Sequence, residues 1–459
     1  MNARKTLPIC LVVLSLAMFT CSMESVSWAQ TLTTLTFFNG TNGAGPSSPV
    51  VQGIDGNFYG TTINGPDNFD GVIFKITPEG TLTTVHVFGG SVPLSPSGII
   101  QGADGNLYGT TGGSDTSDTN KGTVFKITPA GTLTTIAQFN GVNGWLPNGL
   151  IQGADGNFYG TTVLGGSAYC NYRCGVVFKI TPQGVLSTLH RFTGMDGNEP
   201  YAVPVQGNDG NFYGTTENGG SQRLGTIYKM TPQGVLTVLH SFAGNDGAAP
   251  LAGLIQASDG SFYGTTQAGG LYRDGTLYKI TADGTFTTLL NFNDSVLDAN
   301  TLIRATDGNL YGTAAGIPNA GSIFVVRQDG TLTVLYTFSG VDGAMPLAAL
   351  FQATDGKFYG SAYSGGLLGL GSVFSFSMDL SPFIEILNTS GKTGASVPIL
   401  GDDLTGTTSV AFNGISAAFT VVSDSEIIAT VPPGATSGTV QATTTNGTLG
   451  SNVPFRVIK

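Results

Sequence analysis

The sequence predicts an all-β protein: a seven-bladed β-propeller closed by its own N-terminal strand, followed by an immunoglobulin-like β-sandwich. The hexapeptide Asp155-Gly156-Asn157-Phe158-Tyr159-Gly160 has near-copies about every 50 residues, a period typical of propellers and other repeat arrays. The seventh repeat lacks a strand that the N-terminus can supply, and the period ends near Ser381, where the composition changes. The seven copies begin at Asp55, Asp104, Asp155, Asp209, Asp259, Asp307 and Asp355.

Each repeat offers four short strands, which are clearest in the third repeat. They are predicted over residues 150–152, 158–162, 176–181 and 185–192, segments rich in β-branched and aromatic residues. The Asp-Gly-Asn turn joins the first two strands, because Gly accepts a positive φ and Asp can bond its own backbone. Four strands per repeat favour a propeller over a solenoid, whose repeats of this length normally carry helices or longer coils.

The two ends of the array predict a closed ring. The seventh repeat stops near residue 378 after three strands, whereas residues 31–38 read like the fourth strand of the other repeats. Pairing residues 31–38 with the blade that contains Tyr359 would remove two exposed sheet edges. We therefore assign residues 30–378 to the propeller.

The recurring pattern carries a resemblance to a known family. Residues 155–162, 165–166 and 177–182 with Gly184 resemble the Gloeobacter/Verrucomicrobium-type (GloVer) tandem repeat family of exported, variously anchored proteins. The resemblance covers residues 31–378, although the sixth repeat departs from it at Phe324-Val325-Val326-Arg327. It implies export and a propeller-like fold, and it implies no reaction because the family has no assigned catalytic residues.

Residues 381–459 are predicted to form a second domain. Short alternating segments cut by Gly and Pro turns suggest a β-sandwich. The segment resembles an IPT/TIG immunoglobulin-like domain through motifs such as Val397-Pro398-Ile399-Leu400-Gly401, Val410-Ala411-Phe412-Asn413-Gly414 and Val431-Pro432-Pro433-Gly434-Ala435. This resemblance implies a spacer or docking unit.

Residues 1–29 read as a secretory signal peptide. The pair Arg4-Lys5 precedes an apolar run over residues 7–19, and Ser27-Trp28-Ala29 places small residues where a signal peptidase cuts. Lipidation at Cys21 is the alternative, although the residues before it make a poor lipidation signal. The sequence thus predicts a secreted or cell-surface protein.

The net charge disfavours some classes of binding partner, and the cysteines predict a disulfide. The formal net charge of −11 disfavours nucleic acid and anionic membranes, and no second apolar run reaches the ~20 residues of a membrane span. Cys170 and Cys174 remain after export and are predicted to form a disulfide.

A search for catalytic chemistry gives no site. The three histidines, His86, His190 and His240, occupy one repeated place two residues before a Phe and are held in different blades. Carboxylates outside the turns, including Glu199 and Glu217, cannot be paired from the sequence, and no calcium-loop pattern appears. We predict no catalytic residue, metal ligand or cofactor.

The leading functional prediction is a monomeric, non-enzymatic binding or scaffold protein that recognises a polysaccharide or a cell-surface protein. The loops between strands two and three and between blades vary most, and they would share one face. The candidate ligand-binding residues there are Trp145, Tyr169, Tyr172, Arg173, Tyr201, Arg223, Tyr272 and Arg273. The alternatives are a secreted carbohydrate-active hydrolase or lyase, which would need a convergent carboxylate pair, and a structural surface-layer element.

Overall fold

The computed structural model describes residues 30–66, 70–89, 95–113, 121–166, 170, 173–293, 296, 298–316 and 320–458. This part of the chain forms seven antiparallel blades and a C-terminal β-sandwich. No helix within these ranges is long and apolar enough to cross a membrane. The predicted signal peptide lies outside the described residues.

Six blades follow chain order, with the first strand of each at the propeller axis and the fourth outermost. Blade 1 contains Val51–Gln52, Phe58–Thr62, Val72–Ile76 and Leu82–Val87; blade 2 contains Pro96–Gln101, Leu107–Gly112, Gly122–Ile127 and Leu133–Gln138. Blade 3 contains Ile151–Gln152, Phe158–Leu164, Val176–Ile180 and Leu186–Arg191, with the extra strand Trp145–Pro147. Blade 4 contains Val205–Gln206, Phe212–Thr216, Thr226–Met230 and Leu236–Ser241. Blade 5 contains Ile255–Gln256, Phe262–Thr266, Thr276–Ile280 and Phe286–Asn291; blade 6 contains Ile303–Arg304, Leu310–Ala314, Ser322–Val326 and Leu332–Thr337.

The seventh blade joins the two ends of the propeller. Its inner strands are Phe351–Gln352, Phe358–Ala362 and Ser372–Ser377, and the N-terminal strand Thr31–Phe37 pairs antiparallel outside them. Thr31 lies opposite Ser377, and Phe37 lies opposite Ser372. The predicted closure of the ring by the N-terminal strand is confirmed.

Side-chain contacts repeat from blade to blade and include the closing junction. At five of the seven junctions the Tyr of one hexapeptide packs on the Phe of the next, at 3.9 Å between the Tyr213 and Phe262 ring centroids, and Leu107 and Leu310 replace the Phe at the other two. The same stack joins the last blade to the first, at 3.8 Å between Tyr359 and Phe58. The closing junction therefore packs like an internal one.

A second repeated contact comes from a glutamine in the inner strand. Its side-chain oxygen accepts the backbone N–H of a residue in the preceding blade, as Gln206 does from Ala154 at 2.8 Å. Within the described ranges this contact joins six blade junctions. The glutamines are Gln52, Gln101, Gln152, Gln206, Gln256 and Gln352.

The turn aspartates hold the blades together internally. Asp155 accepts hydrogen bonds from the Asn157 backbone N–H at 3.1 Å, the Tyr159 hydroxyl at 2.8 Å and the Lys179 ammonium at 2.8 Å. Equivalent Asp–Lys pairs occur in blades 1, 2, 4 and 5, whereas blade 6 has Val325 in place of the lysine. These contacts account for the repeated aspartate structurally.

The glycine that ends the hexapeptide is explained by packing against strand three. A Cβ at Gly160 would lie 2.4 Å from the Gly149 carbonyl oxygen and 2.6 Å from Cζ of Phe178. The crowding atoms belong to the neighbouring aromatic ring and the preceding loop. Only a residue without a side chain fits there.

The C-terminal sandwich contains two four-stranded sheets and a short parallel pair. The first sheet contains Glu385–Ile386, Ser396–Leu400, Glu426–Thr430 and Phe419–Val421; the second contains Ile415–Ala417, Ser409–Phe412, Val440–Thr444 and Gly447–Gly450. Ser390–Gly391 pairs in parallel with Arg456–Val457, and Leu404–Gly406 forms one turn of 3-10 helix. Val397, Ile399, Phe412, Ile427 and Phe455 are buried in its core.

The sandwich covers the propeller face that carries the Asp-Gly-Asn turns, which we call the turn face. The Ser425 hydroxyl donates to the Ile54 carbonyl at 2.7 Å in blade 1, and Nη1 of Arg456 donates to the Asn208 carbonyl at 3.1 Å in blade 4. The opposite face, which carries the loops between strands two and three and between blades, is called the loop face.

Candidate binding site

A cavity of 1420 Å³ lies along the propeller axis. The inner strands form its wall, and the loops between blades form its mouth on the loop face. Thr389, Ser390, Asn452 and Arg456 of the sandwich line its opposite end, here called the floor. The cavity exceeds the roughly 300–1,000 Å³ of common ligand sites, so it has room for a ligand of several rings.

Three polar side chains lie close together at the mouth, in blades 3 and 4. Tyr201 and Glu217 line the cavity, and Glu199 lies beside them, since the Glu217 backbone N–H donates to the Glu199 carbonyl at 3.0 Å. Nδ2 of Asn218 donates to Oε2 of Glu199 at 2.7 Å and orients that carboxylate. The Tyr201 side chain keeps 44% of its surface exposed, so one aromatic surface remains open to solvent.

The backbone at Glu199 has a special conformation. Glu199 has a φ of 56°, a left-handed conformation that is uncommon for residues other than Gly. The same conformation recurs where the chain of other blades enters the inner strand, at Leu146, Ala249, Asp298 and Met345. The turn is thus part of the repeat, whereas the carboxylate is particular to this blade.

Burial and neighbouring negative charge raise the pKa values of two groups at the mouth, Glu217 and Tyr201. Burial raises the pKa of Glu217, and the neighbouring charge of Glu199 raises it further. Burial, followed by the charges of Glu217 and Glu199, also raises the pKa of Tyr201. Glu217 can therefore hold a proton at a higher pH than an ordinary glutamate, and Tyr201 remains a hydrogen-bond donor at neutral pH.

Further polar groups continue around the mouth. Nδ2 of Asn148 donates to the Tyr201 carbonyl at 2.7 Å, and Nε2 of Gln267 donates to Oδ1 of Asp298 at 3.1 Å. Both amide side chains still offer hydrogen-bond acceptors to the cavity. The mouth is consequently rich in groups that bind hydroxyls.

The eight candidate ligand-binding residues predicted from the sequence do not lie together in the structure. Tyr201 alone of those described lines the cavity. Arg173, Arg223, Tyr272 and Arg273 are exposed on loops outside it. Tyr169 and Tyr172 lie outside the described residues.

Trp145 differs from the sequence expectation of an open loop aromatic. It belongs to the short strand Trp145–Pro147, is half-buried, and has the Lys121 ammonium 4.1 Å from its ring centroid. This cation–π contact already occupies one face of the indole. Trp145 therefore packs within blades 2 and 3 instead of offering a free aromatic plane.

The meeting of Glu199 and Glu217 was missed at the level of sequence. Glu199 precedes Pro200, and Glu217 follows the repeated Thr-Thr of strand two. A comparison of the repeats position by position places both at the loop-face end of their segments. Nearness in space still required the hydrogen-bonded register between the two segments.

The histidine hydrogen bonds and the disulfide join residues that are close together in sequence. His190 and His240 each contact an aspartate of the following turn, Asp196 and Asp246, at 2.8 and 2.9 Å. No group of three or more His, Cys, Asp or Glu residues in the described part of the chain could hold a metal ion. Cys170 and Cys174 are joined in the predicted disulfide.

Comparison with known families identifies both parts of the chain. The model described as the Gloeobacter/Verrucomicrobia repeat matches residues 23–170, 96–314 and 147–374. The chain belongs to the Gloeobacter/Verrucomicrobia repeat family. In this Gloeobacter/Verrucomicrobia repeat protein, the IPT/TIG domain model matches residues 382–457. Both resemblances noted in the sequence are thereby confirmed.

No curated protein matches the sequence, whereas solved structures match the fold of this Gloeobacter/Verrucomicrobia repeat protein. The extracellular domain of a putative one-component system from B. thetaiotaomicron has a TM-score of 0.51 at 11% identity, over 93% of this chain and 59% of that one. The extracellular domain of a putative hybrid two-component system from the same organism has a TM-score of 0.48 at 12% identity, over 93% and 57%. A putative 6-phosphogluconolactonase from Bacteroides fragilis has a TM-score of 0.44 at 18% identity, over 67% and 93%. This chain spans less than two thirds of both extracellular domains, and the likeness concerns the fold alone.

Proposed function

We propose that this protein is an exported, non-enzymatic binding protein that recognises a glycan at the channel mouth on the loop face. The half-exposed Tyr201 ring beside Glu199 and Glu217 carries the proposal. Sugar rings pack their C–H faces on aromatic planes, while their hydroxyls donate to carboxylates and amides. The Cys170–Cys174 disulfide supports an oxidising, exported setting.

The surrounding loops extend this surface. Tyr272 and Arg273 lie at the exposed tip of the loop between strands two and three of blade 5, and Arg223 holds the corresponding place in blade 4. Loops on a rigid scaffold commonly carry recognition. A ligand longer than the channel would reach these tips after leaving the mouth.

Glycan-array screening followed by calorimetric titration of a neutral tetrasaccharide hit tests this function. Tyr201→Ala is expected to weaken binding roughly fivefold or more, because a stacked aromatic ring contributes of the order of 1 kcal/mol or more. Val235→Ala, at an exposed site on the turn face, serves as the control and should bind like the wild type. Binding that is lost in Tyr272→Ala and kept in Tyr201→Ala would move the site from the mouth to the loop tips.

A carbohydrate-active hydrolase or lyase is the second candidate, because Glu217 has a raised pKa beside a second carboxyl group. Glycosidases pair a protonated carboxylic acid with a carboxylate across the scissile bond. Mass spectrometry of oligosaccharides incubated with the wild type and with Glu217→Gln separates the two functions. Cleavage by the wild type but not by the variant would replace the binding proposal with an enzymatic one.

A further inference from the structure

The glutamine contact between blades has one exception. Arg304 stands in blade 6 where the other six blades have glutamine, and it lines the channel. A guanidinium carries no hydrogen-bond acceptor, so it cannot accept the N–H of Ser258 in the preceding blade as glutamine would. One repeated contact is thus given up at this junction, and a positive charge is placed in the channel.

A second arginine lies at the same end of the channel. Arg456 reaches the floor from the sandwich, where it donates to the Asn208 carbonyl at 3.1 Å and keeps further N–H groups available. Among the described residues, neither Arg304 nor Arg456 forms an ion pair with a carboxylate. The floor therefore holds two cationic groups in a protein whose net charge is −11.

The floor also contains an unused polar group. Within the described ranges, the buried Ser390 hydroxyl oxygen has no hydrogen-bond partner. Buried polar atoms nearly always have a partner, so an orphan that lines a cavity indicates a group that a ligand can satisfy. Ser390 and Arg456 belong to the two strands of the same parallel pair, and Ser390 lies opposite Arg456 in its register.

We propose that Arg304, Arg456 and Ser390 form an anion subsite at the channel floor, which seats the carboxylate of an oligosaccharide that ends in one uronic acid. This inference rests on the proposed glycan-binding function and names its ligand class. The carboxylates Glu217 and Asp298 at the mouth repel negative charge and the floor attracts it, so the bound ligand places its acidic sugar at the floor and its neutral sugars beside Tyr201. A glycan that is acidic along its whole length would be disfavoured at the mouth.

Calorimetry with the full chain tests the subsite with two probes of equal length. An aldotetraouronic acid, which has three neutral sugars and one glucuronic acid, is expected to bind roughly tenfold more tightly than xylotetraose, because charge-assisted hydrogen bonds are stronger than neutral ones. Arg304→Gln should lower this preference severalfold, while Arg456 remains as a cation at the floor. The variant restores the side chain of the other six blades, so its melting temperature should equal or exceed that of the wild type.

A control variant and three outcomes distinguish failure of the anion subsite from failure of the proposed glycan binding. Arg191→Gln removes a charge from the exposed edge of blade 3 and should keep the tenfold preference. Equal wild-type affinity for the two probes, with loss of both in Tyr201→Ala, would overturn the subsite and leave glycan binding intact. Absence of binding to either probe would overturn both. Displacement of the acid by millimolar inorganic phosphate as readily as by free glucuronate would show a general oxyanion site instead.

Discussion

Removing the closing strand is the most direct perturbation of this fold. Deletion of residues 30–39 exposes the edge of Ser372–Ser377 and removes Phe38, which is 1% exposed and contacts the Phe74 ring at 5.2 Å. Loss of a buried Phe side chain alone costs roughly 3–5 kcal/mol. A native domain has roughly 5–15 kcal/mol in total, so this loss together with the lost strand pairing and the exposed edge should remove most of the propeller's stability and promote aggregation.

The quantitative form of this experiment is Phe38→Ala, with Phe192→Ala as the matched variant. The two Phe residues hold equivalent places: the N–H of Phe38 donates to the Gly371 carbonyl at 3.0 Å, and that of Phe192 to the Gly175 carbonyl at 3.1 Å. In a closed ring both substitutions lower the unfolding free energy by a similar amount, roughly 3–5 kcal/mol. Urea unfolding followed by circular dichroism measures both values. A cost below about 1 kcal/mol for Phe38→Ala, with the full cost for Phe192→Ala, would refute closure.

Three further predictions concern single contacts. Reduction of Cys170–Cys174 should loosen one loop without unfolding the propeller, because so short a loop contributes at most about 2 kcal/mol; a change in melting temperature of more than a few degrees would contradict this. Gly160→Ala should destabilise by roughly 1–3 kcal/mol through the clash with Phe178, and chemical denaturation that shows no loss would contradict the packing. Burial of Asp155 opposes its ionisation, but its hydrogen bonds outweigh that effect and lower its pKa to about 2. The stability that Asp155 contributes is therefore present above its unfolded pKa near 4 and is lost as the pH falls toward 2. Asp155→Asn should lose less unfolding free energy than the wild type as the pH falls toward 2. An equal loss in the two proteins would contradict the lowered pKa of Asp155.

The fold was predictable because its signals are local and repeated. The Asp-Gly-Asn turn, the buried Phe158–Thr162 pattern and the missing fourth strand after Ser372–Ser377 each depend on neighbouring residues and a count. Repetition reduced the ambiguity of short strands, since one uncertain segment was supported by six others. The closing pair of strands followed from the need to remove two open edges.

The candidate site was less predictable because it depends on exceptions to the repeat. Glu217 and Arg304 occupy positions that hold other residues in neighbouring blades, and only the ring geometry turns both toward one cavity. The amino-acid composition does not predict that the sandwich packs on the turn face. Aromatic residues in predicted loops, such as Tyr272, are recognisable in the sequence as candidate ligand-binding residues. Residues that face an internal channel look like ordinary strand residues.

Ring closure also fixes the order in which the protein can finish folding. Thr31 and Ser377 face each other, yet almost the whole propeller separates them in sequence, so the strand Thr31–Phe37 leaves the ribosome long before its partner Ser372–Ser377. During that interval its unpaired backbone groups can recruit a strand from another chain, since contacts of such long sequence separation form late. The yield of native protein should therefore fall as chain concentration rises during synthesis. Among the blade strands, the first to be made is thus one of the last to find its partner.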